Sequence, residues 1–520
     1  MRTATPFDRS FELLRQRIAA KPLPWFLLLA AVFLYFRLFI PPFTPILTGG
    51  DQDIFLVNAT RMLAGEIIYK DFFQLTPPGT TLVYFVLFKI FGVAAWIPNA
   101  SLIVVGVALT WLTVRLSSKV LQGKAAFLPG LVFLTFVYGT MLNGTHHWHS
   151  ALAVAAALLS IIEKRTPERL ALAGMFLGVA SFFTQTRGLI TLLGFTVFLV
   201  WEQKRDGDNR FTLLKKEISL LITFVCTLIA VDAYFIWEAG LGRFLYCQFT
   251  FVSKYIPSVP SWDYYLLGLP PVPPWHNLAK LGIFLFVHLL LPLVYLLFLV
   301  RYYQEARSSS NDSWAGLMLI NFTGLFLFLE VAPSPTWFRL YSASLPALIL
   351  VVWLARSPTG LQRVFLRVLW IAGLALAIGQ PLWTQRHWRA YLDLPVGRTA
   401  LLDKEAREKL QWLSQRTRPG EFFLQGAWPG VHFPLGLRNP AFMDFLEPSE
   451  YTRPEQVQRV IAALGKNHVR YVLWSIRLDL PDNRRPQGDH LEPIRAYLRQ
   501  HYRIVKTFPD FDQVWERTID

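Results

Sequence analysis

Charge and cysteine are both scarce in this sequence. Charged residues make up 17% of its 520 positions, against roughly 25% in soluble domains. There are only two cysteines, Cys226 and Cys247, and Cys226 lies within an apolar run. Two cysteines provide no disulfide framework, so a disulfide-stabilised scaffold is excluded, and the low charge argues against a soluble enzyme.

Long apolar runs are what the sequence has instead. Hydrophobic residues make up 53% of the chain, and its mean hydropathy is +0.36. Several runs approach the ~20 residues with which a helix crosses a bilayer. We therefore predict an α-helical polytopic membrane protein with about 11 transmembrane helices. The predicted spans are residues 24–41, 95–116, 125–142, 149–163, 168–184, 187–202, 217–238, 278–300, 314–331, 338–356 and 363–382.

The surplus of basic residues is distributed in a way that fits a membrane topology. The formal net charge is +16, which in a soluble protein would suggest a nucleic-acid partner. Here the basic clusters, such as RQRIAAK, EKRTPER and RSPTGLQR, lie in alternate connections, as the positive-inside rule expects of cytoplasmic loops. We predict a cytoplasmic N-terminus, an extracytoplasmic C-terminus and no nucleic-acid partner.

The chain divides into three predicted regions. Residues 1–23 form a cytoplasmic leader, and the long apolar stretch after it lacks the small-residue cleavage site of a signal peptide. Residues 24–384 form a transmembrane domain, with a first external loop at residues 42–94. Residues 385–520 are predicted to form an extracytoplasmic α/β domain, because helix and strand patterns alternate there. This tail contains no Walker or GxGxxG motif.

The first external loop contains the sequence GGDQD at residues 49–53. Residues 53–64 are predicted to form an amphipathic helix that lies flat in the membrane interface. The next apolar run, TLVYFVLFKIFG, is too short to cross the bilayer upright. We expect a second juxtamembrane helix there, beginning at Pro77 and Pro78 and ending at Gly92. A loop of this kind presents carboxylates to lipid head groups.

The motif in this loop resembles that of a known family. The string D-Q-D-x(7)-R-M-L-A-G-E-x-x-Y-K-D-F-F-x-x-x-P-P-G-T is similar to the first loop of the GT-C superfamily of membrane glycosyltransferases. It is most like the bacterial branch related to protein mannosyltransferases and to the aminoarabinose and Rgt-type transferases. The late segment W-F-R-L-Y-x-x-x-L-P and the α/β tail give weaker support.

The resemblance implies both an architecture and an activity. It implies a GT-C-type bundle in a bacterial inner membrane, with the active cavity at the outer face. The implied donor is a sugar carried on a polyprenyl phosphate, and the implied outcome is inversion. The acceptor, which is a lipid, a glycan or a protein, is left open.

Asp51 is the predicted general base, since the resemblance implies that an acidic residue at the start of this loop acts on the acceptor. A carboxylate within reach of an acceptor hydroxyl can take its proton. Asp53 is its helper, or joins Asp51 in binding a divalent cation, although two carboxylates alone indicate a metal only weakly. The alternative is that Asp51 caps the next helix and Asp53 lies at its positive end. Asp71 is a substrate-binding candidate or simply fastens the loop.

The donor phosphate needs cations around it. Some relatives carry a basic residue just before the Pro-Pro pair, where this chain has Thr76. Arg187 and Arg339 are the predicted replacements, because both lie at external helix ends where a cation close to hydrocarbon is costly unless paired. The alternative is that both arginines extend to the lipid head groups.

The sequence NGTHHWHS at residues 143–150 supplies two further candidates. His147 and His149 are predicted to orient the acceptor or the phosphate if this turn faces the Asp51 cavity. The alternative is that these histidines only satisfy backbone groups at the interface. Asp232 and Glu330 lie inside apolar runs, so each is expected to have a partner or a water-filled cavity.

Two other functions remain open at this point. An O-antigen-type ligase or polymerase is also polytopic and uses lipid-linked sugars, but it does not need an acidic pair directly after the first helix. A lipid-linked sugar transporter or flippase would show internal repeats and broken helices at mid-membrane. No convincing repeat is present, and the polar residues concentrate at the predicted external face.

Overall fold

A helical bundle and a C-terminal α/β domain make up the structure. The computed structural model describes residues 21–207, 209–255, 291–305, 313–333, 337–356, 360–479 and 489–518. The helices up to residue 386 are α1 (Pro22–Leu38), α2 (Gln52–Leu63), α3 (Gly79–Phe91), α4 (Trp96–Ser117), α5 (Gly123–Thr140), α6 (His146–Ile161), α7 (Pro167–Phe183), α8 (Gln185–Asp206), α9 (Arg210–Ala239), α10 (241–255), α11 (Leu291–Glu305), α12 (Ser313–Val331), α13 (Trp337–Ala343), α14 (Leu345–Leu354) and α15 (Gly360–Arg386). Two short strands, β1 (Phe39–Ile40) and β2 (Thr44–Pro45), pair between α1 and α2.

Apolar helices account for most of the bundle. Within the described residues, α4, α5, α9, α12 and α15 are long and apolar enough to cross a membrane. On α9 and α15, large apolar side chains such as Ile229 and Ile371 are more than half exposed, as expected of helices that face lipid. A helix lies at each predicted span, although the span at 278–300 falls partly outside the described residues.

One predicted span is broken in two. The run at 338–356 forms α13 and α14, which meet at Ser344. Pro346 lies in the first turn of α14. Proline has no backbone N–H and its ring clashes with the preceding turn, so it favours the start of a new helix at this position.

The first external loop contains the two short helices that the sequence predicts. Helix α3 ends at Gly92, and its first residue follows the Pro77–Pro78 pair. Helix α2 is less exposed than an interfacial helix with one wet face would be. Phe55, Leu56 and Asn58 are all buried, because α2 packs between α3 and the C-terminal domain. The sequence pattern of α2 alone does not reveal that second partner.

The C-terminal domain contains a hairpin and a four-stranded sheet with helices. The hairpin pairs β3 (Ala390–Leu394) with β4 (Gly397–Leu401). The remaining elements are α16 (Lys404–Ser414), β5 (Phe423–Gln425), α17 (His432–Leu435), α18 (Pro454–Lys466), β6 (Tyr471–Trp474), α19 (Glu492–His501), β7 (Tyr502–Thr507) and β8 (Gln513–Arg517). The four-stranded sheet has the order β5-β6-β8-β7, and within it only β5 and β6 pair in parallel.

Thr452 and Glu455 have the spacing of a capping box at the start of α18, but the structure does not form it. The backbone N–H of Arg453 donates to Oε1 of Gln456 at 2.8 Å. Thr452 Oγ1 instead accepts from the backbone N–H of Glu447 at 2.7 Å. Its hydroxyl therefore closes the preceding turn and does not cap the helix.

The C-terminal domain docks on the first external loop through both apolar and backbone contacts. The rings of Phe88 on α3 and Phe433 on α17 stack with their centroids 5.6 Å apart. The backbone N–H of Phe73 donates to the carbonyl of Phe442 at 2.8 Å. The loop and the tail thus share one apolar core, so the tail does not hang free of the bundle.

We expect Phe433→Ala to weaken this docking. Phe433 is 2% exposed, and truncating a buried phenylalanine costs about 3–5 kcal/mol. The purified protein should therefore unfold at a lower temperature in detergent. Phe511→Ala is the matched control, because Phe511 is 67% exposed. Equal unfolding temperatures for the two variants would contradict the shared core.

Candidate active site

The GGDQD segment is held from the side of the bundle by the turn before α6. The backbone N–H of Gln52 donates to Asn143 Oδ1 at 3.0 Å, and Asn143 Nδ2 donates to the carbonyl of Gly49 at 3.3 Å. The N–H of Gly144 donates to Oε1 of Gln52 at 3.0 Å. Three hydrogen bonds thereby join two residues of the turn to two residues of the segment.

Among the residues of the GGDQD segment, Gly50 has a conformation and surroundings that require glycine. Its φ of +108° lies in a region that L side chains rarely adopt. A Cβ atom there would also lie 2.3 Å from Nδ2 of Asn143. From the other side, Trp428 Nε1 of the C-terminal domain donates to the Gly50 carbonyl at 2.8 Å. The bundle therefore holds Gly49 and Gln52, and the tail holds Gly50 between them.

The side chain of Asp51 does not bond to the helix that it precedes. It occupies the N-cap position of α2, but its side chain makes no capping hydrogen bond. The interpretation of Asp51 as a side-chain cap is therefore wrong for this structure. Asp51 instead lines a cavity of about 140 Å³. The other lining residues are Ile54, Phe55, Phe73, Gln74, Leu75, Thr76, His146, Trp428, Asp444, Phe445 and Tyr451.

Asp53, unlike Asp51, stabilises the first loop through a side-chain hydrogen bond to its backbone. Its Oδ2 accepts from the backbone N–H of Gly50 at 3.0 Å, and its side chain is buried. Burial raises the pKa of Asp53 to about 7, the Gly50 hydrogen bond opposes this shift, and the negative charge of Asp51 adds to it. Asp53 therefore stabilises the conformation of the loop from behind Asp51.

The electrostatics of Asp51 involve a cation from α13. Burial raises the pKa of Asp51, and the positive charge of Arg339 opposes this shift. Arg339 is partly exposed. Because the net effect is a raised pKa, the Asp51 carboxylate is a stronger base than an ordinary aspartate. Asp51 and Arg339, which the sequence nominates independently, thus act on each other in the fold.

Arg187 is tied into the bundle. Its Nη1 donates to the His147 carbonyl and to Ser150 Oγ, both at 3.1 Å. Its Nη2 lies 3.4 Å from Glu330 Oε2, which identifies the partner that Glu330 requires. Arg187 is only 1% exposed and does not line the Asp51 cavity. In this conformation its charge is used to balance Glu330.

The histidine candidates also lie beside the cavity and do not line it. The ring of His147 packs against Phe338 with centroids 5.2 Å apart. His149 stacks on Phe183 at 5.0 Å and bonds the Thr145 carbonyl through Nδ1 at 3.0 Å. Their neighbour His146 lines the cavity with Asp51. The sequence predicted roles for His147 and His149 but not for His146.

Asp71 has a local role in the structure. Its side chain is exposed, and Oδ2 accepts from the backbone N–H of Ile67 at 2.8 Å. It fastens the turn between α2 and α3 and does not line the Asp51 cavity. A part in substrate binding remains a prediction.

The outer wall of the cavity comes from residues that the sequence did not suggest. Trp428, Asp444, Phe445 and Tyr451 all belong to the C-terminal domain. Asp444 Oδ2 accepts from Asn58 Nδ2 of α2 at 3.0 Å, across 386 positions of sequence. No local pattern announces such a contact, because it exists only once the tail has packed on the loop.

A divalent cation at Asp51 and Asp53 remains a prediction. Across the described residues there is no group of three or more His, Cys, Asp or Glu side chains that could hold a metal ion. One of the two carboxyl groups already accepts a backbone N–H. A cation there would need further oxygen ligands from a substrate.

A helical bundle with an acidic first loop beneath a C-terminal α/β domain is a fold that this chain shares with solved structures. ArnT from Cupriavidus metallidurans, solved with bound undecaprenyl phosphate, matches 95% of this chain and 98% of its own. Its TM-score is 0.57 at 14% sequence identity. The oligosaccharyltransferase AglB from Archaeoglobus fulgidus, solved with an inhibitory peptide and a dolichol-phosphate, matches 96% of this chain and 75% of its own. Its TM-score is 0.54 at 12% identity.

Both neighbours belong to the GT-C superfamily. The GT-C fold that the first-loop motif predicted is therefore confirmed. No protein-family model matches the chain, and no curated protein matches it. At these identities the likeness concerns the fold, and the activity has to be argued from the cavity.

We expect Asp53→Asn to change how stability depends on pH. The unfolded chain has an aspartate pKa near 4, whereas the folded value is about 7. The folded state therefore binds a proton more tightly, so ionisation of Asp53 reduces stability as pH rises from about 4 to about 7. The asparagine cannot ionise. The Tm of the variant minus that of the wild type should therefore become more positive by about 2 °C or more between pH 5 and pH 8.

The exposed Asp393→Asn in the C-terminal domain is the control for this measurement. A Tm difference for Asp53→Asn that is flat over the same pH range would contradict the pKa assigned to Asp53.

Proposed function

We propose that this protein is a membrane glycosyltransferase that transfers a sugar from a polyprenyl phosphate to an acceptor hydroxyl. The observation that carries the proposal is the carboxyl group of Asp51. It stands at the N-cap position without capping, and it lines a cavity between the first loop and the C-terminal domain. The GT-C fold supports the same reaction, since one structural neighbour was solved with undecaprenyl phosphate.

Asp51 acts as the general base in this reaction. The acceptor oxygen attacks the anomeric carbon of the donor sugar and gives its proton to the Asp51 carboxylate. The new bond joins the acceptor oxygen to the anomeric carbon. The bond from that carbon to the phosphate oxygen breaks, and polyprenyl phosphate leaves with the electron pair. Burial supports this role because it raises the pKa of Asp51.

Arg339 is the proposed partner of the leaving phosphate. Its charge acts on Asp51, so the base and the cation lie within electrostatic range of one site. A positioned cation is worth most where negative charge develops in a water-poor cavity. Arg187 could join it only by giving up Glu330, and we assign it the positioning of α6 through the His147 carbonyl.

The proposed setting is a bacterial inner membrane, with the cavity on the extracytoplasmic side and the N-terminus in the cytoplasm. The membrane lipids surround the bundle, and the donor's lipid chain would lie along it. The C-terminal domain covers the first loop, which favours a reaction shielded from water. The transporter alternative has less support, because the sequence shows no convincing internal repeat.

Asp51→Asn should abolish most of the transfer activity. Removing a general base costs about 10²- to 10⁴-fold in rate, while the asparagine preserves the shape of the side chain. Transfer from radiolabelled undecaprenyl-phosphate sugars in membranes measures the effect. For the wild type, the rate should fall with decreasing pH at a higher pH than an ordinary aspartate would give, because the pKa of Asp51 is raised.

Asp393→Asn is the matched control, since Asp393 is exposed and outside the cavity. Full transfer by the Asp51→Asn protein would refute the assignment of the base.

Arg339→Gln should weaken use of the lipid donor. Loss of one charge-assisted contact to a phosphate corresponds to about 1.5–3 kcal/mol, or roughly a 10- to 100-fold rise in the KM for the donor. Arg339→Lys keeps the charge and should restore part of the loss. An unchanged donor KM in both variants would exclude Arg339 from the phosphate site.

A further inference from the structure

The cavity wall opposite Asp51 is an aromatic surface of the C-terminal domain. The rings of Trp428 and Phe445 lie 4.9 Å apart between centroids. Phe445 and Tyr451 are stacked at the same centroid distance, with only 11° between their planes. Trp428 is also fixed by its hydrogen bond to the Gly50 carbonyl. This wall is therefore held in place by the loop that carries the base.

A single acidic side chain interrupts the aromatic wall. Asp444 is 5% exposed and lines the cavity. Its Oδ2 accepts from Asn58 Nδ2 at 3.0 Å. Its Oδ1 is buried and has no hydrogen-bond partner among the described residues. A buried carboxyl oxygen without a hydrogen bond is unusual, because leaving it unsatisfied costs about 1–3 kcal/mol or more.

The nearest cation does not satisfy that oxygen. Arg61 Nη1 lies 3.8 Å from Asp444 Oδ1, beyond hydrogen-bond range. The same Nη1 donates to the Ala441 carbonyl at 2.9 Å. The other end of the guanidinium is committed to Glu66, with Nε 2.8 Å from Oε2. Arg61 thus provides charge balance while Oδ1 keeps its acceptor capacity.

Asp444 is held in position by a chain of buried amides. Asn58 Nδ2, which binds Asp444, also donates to Gln74 Oε1 at 3.1 Å. Thr81 Oγ1 donates to the same Gln74 oxygen at 2.8 Å. Gln74 Nε2 in turn donates to the carbonyls of Thr76 and Pro77, both at 3.0 Å. A polar group fixed by its neighbours binds a ligand with little loss of entropy.

We propose that Asp444 and the Trp428–Phe445–Tyr451 wall form a saccharide subsite, in which Asp444 Oδ1 accepts a hydrogen bond from a sugar hydroxyl. A sugar presents hydroxyl donors at its edge and C–H groups on its face, which fit a lone acceptor beside aromatic rings. Asp444 is a positioning and specificity residue, distinct from the base. This inference rests on the proposed function, because it assumes that the cavity of Asp51 receives a sugar.

Lipid binding tests the subsite on the full-length protein in detergent. The probes are undecaprenyl phosphate without a sugar and undecaprenyl phosphate carrying glucose, mannose, galactose or arabinose. The wild type should bind at least one sugar-bearing lipid more tightly than the bare lipid. At pH 8, where Asp444 is mostly ionised although burial raises its pKa to about 7, Asp444→Asn should lose that gain, about 10- to 100-fold, because a hydrogen bond to a charged group is worth about 1.5–3 kcal/mol. Its affinity for the bare lipid should stay at the wild-type value.

Two further variants keep the test decisive. Asp444→Glu retains the charge beside Arg61 but extends the carboxylate by one methylene into the cavity, so it should also lose the gain while unfolding at a near wild-type temperature. It replaces Asp444→Asn if that variant does not fold. Asp393→Asn, exposed on the same domain, should behave as the wild type.

The hydroxyl can belong to the donor sugar or to the acceptor, and kinetics separates them. Loss of the affinity gain assigns the hydroxyl to the donor. A raised KM for the acceptor with an unchanged affinity gain assigns it to the acceptor. If both quantities stay at wild-type values in both Asp444 variants, or only the unfolding temperature falls, the subsite is refuted. Absence of transfer by the wild type, with the Asp444-dependent affinity gain intact, would refute the transferase and leave the subsite.

Discussion

The conformation of Gly50 is the constraint on which the site depends. The residue has a φ of +108° and leaves no room for a side chain next to Asn143. Its N–H is bound by Asp53 and its carbonyl by Trp428. These two hydrogen bonds join the first loop to the C-terminal domain at a single residue. Asp51, the next residue, is thereby placed at the N-terminus of α2, and its side chain makes no capping hydrogen bond.

Three carboxyl groups around this loop, buried for Asp53 and Asp444 and partly buried for Asp51, have different surroundings, and the surroundings separate their roles. Asp53 is bound to a backbone N–H and faces inward. Asp51 lines the cavity under the influence of Arg339. Asp444 lines it from the opposite wall, with one oxygen held and the other available. Removing acidic side chains from water is costly. This cost is a reason to expect that these carboxyl groups have roles in the site.

The two arginines at helix ends, which are equivalent in the sequence, have different environments in the fold. Arg187 is buried against Glu330, a residue on another helix of the bundle. Arg339 lies on α13 and is partly exposed. Sequence alone could not separate them, because the separation depends on which acidic residue each meets. A charge in the bundle is retained at acceptable cost only when it is paired.

Short-range sequence patterns by themselves determined much of the secondary structure and the first candidate for the base. Apolar runs placed the helices, Pro77 and Gly92 bounded α3, and the D-Q-D motif indicated both the GT-C fold and Asp51. Only the tertiary structure decided that α2 is covered on both sides, that His146 and not His147 lines the cavity, and that Asp444 completes its wall. The physical reason is range. Helix periodicity and turn chemistry act between residues a few positions apart, whereas Asn58 and Asp444 meet across 386 positions and only when the tail buries its apolar face on the first loop.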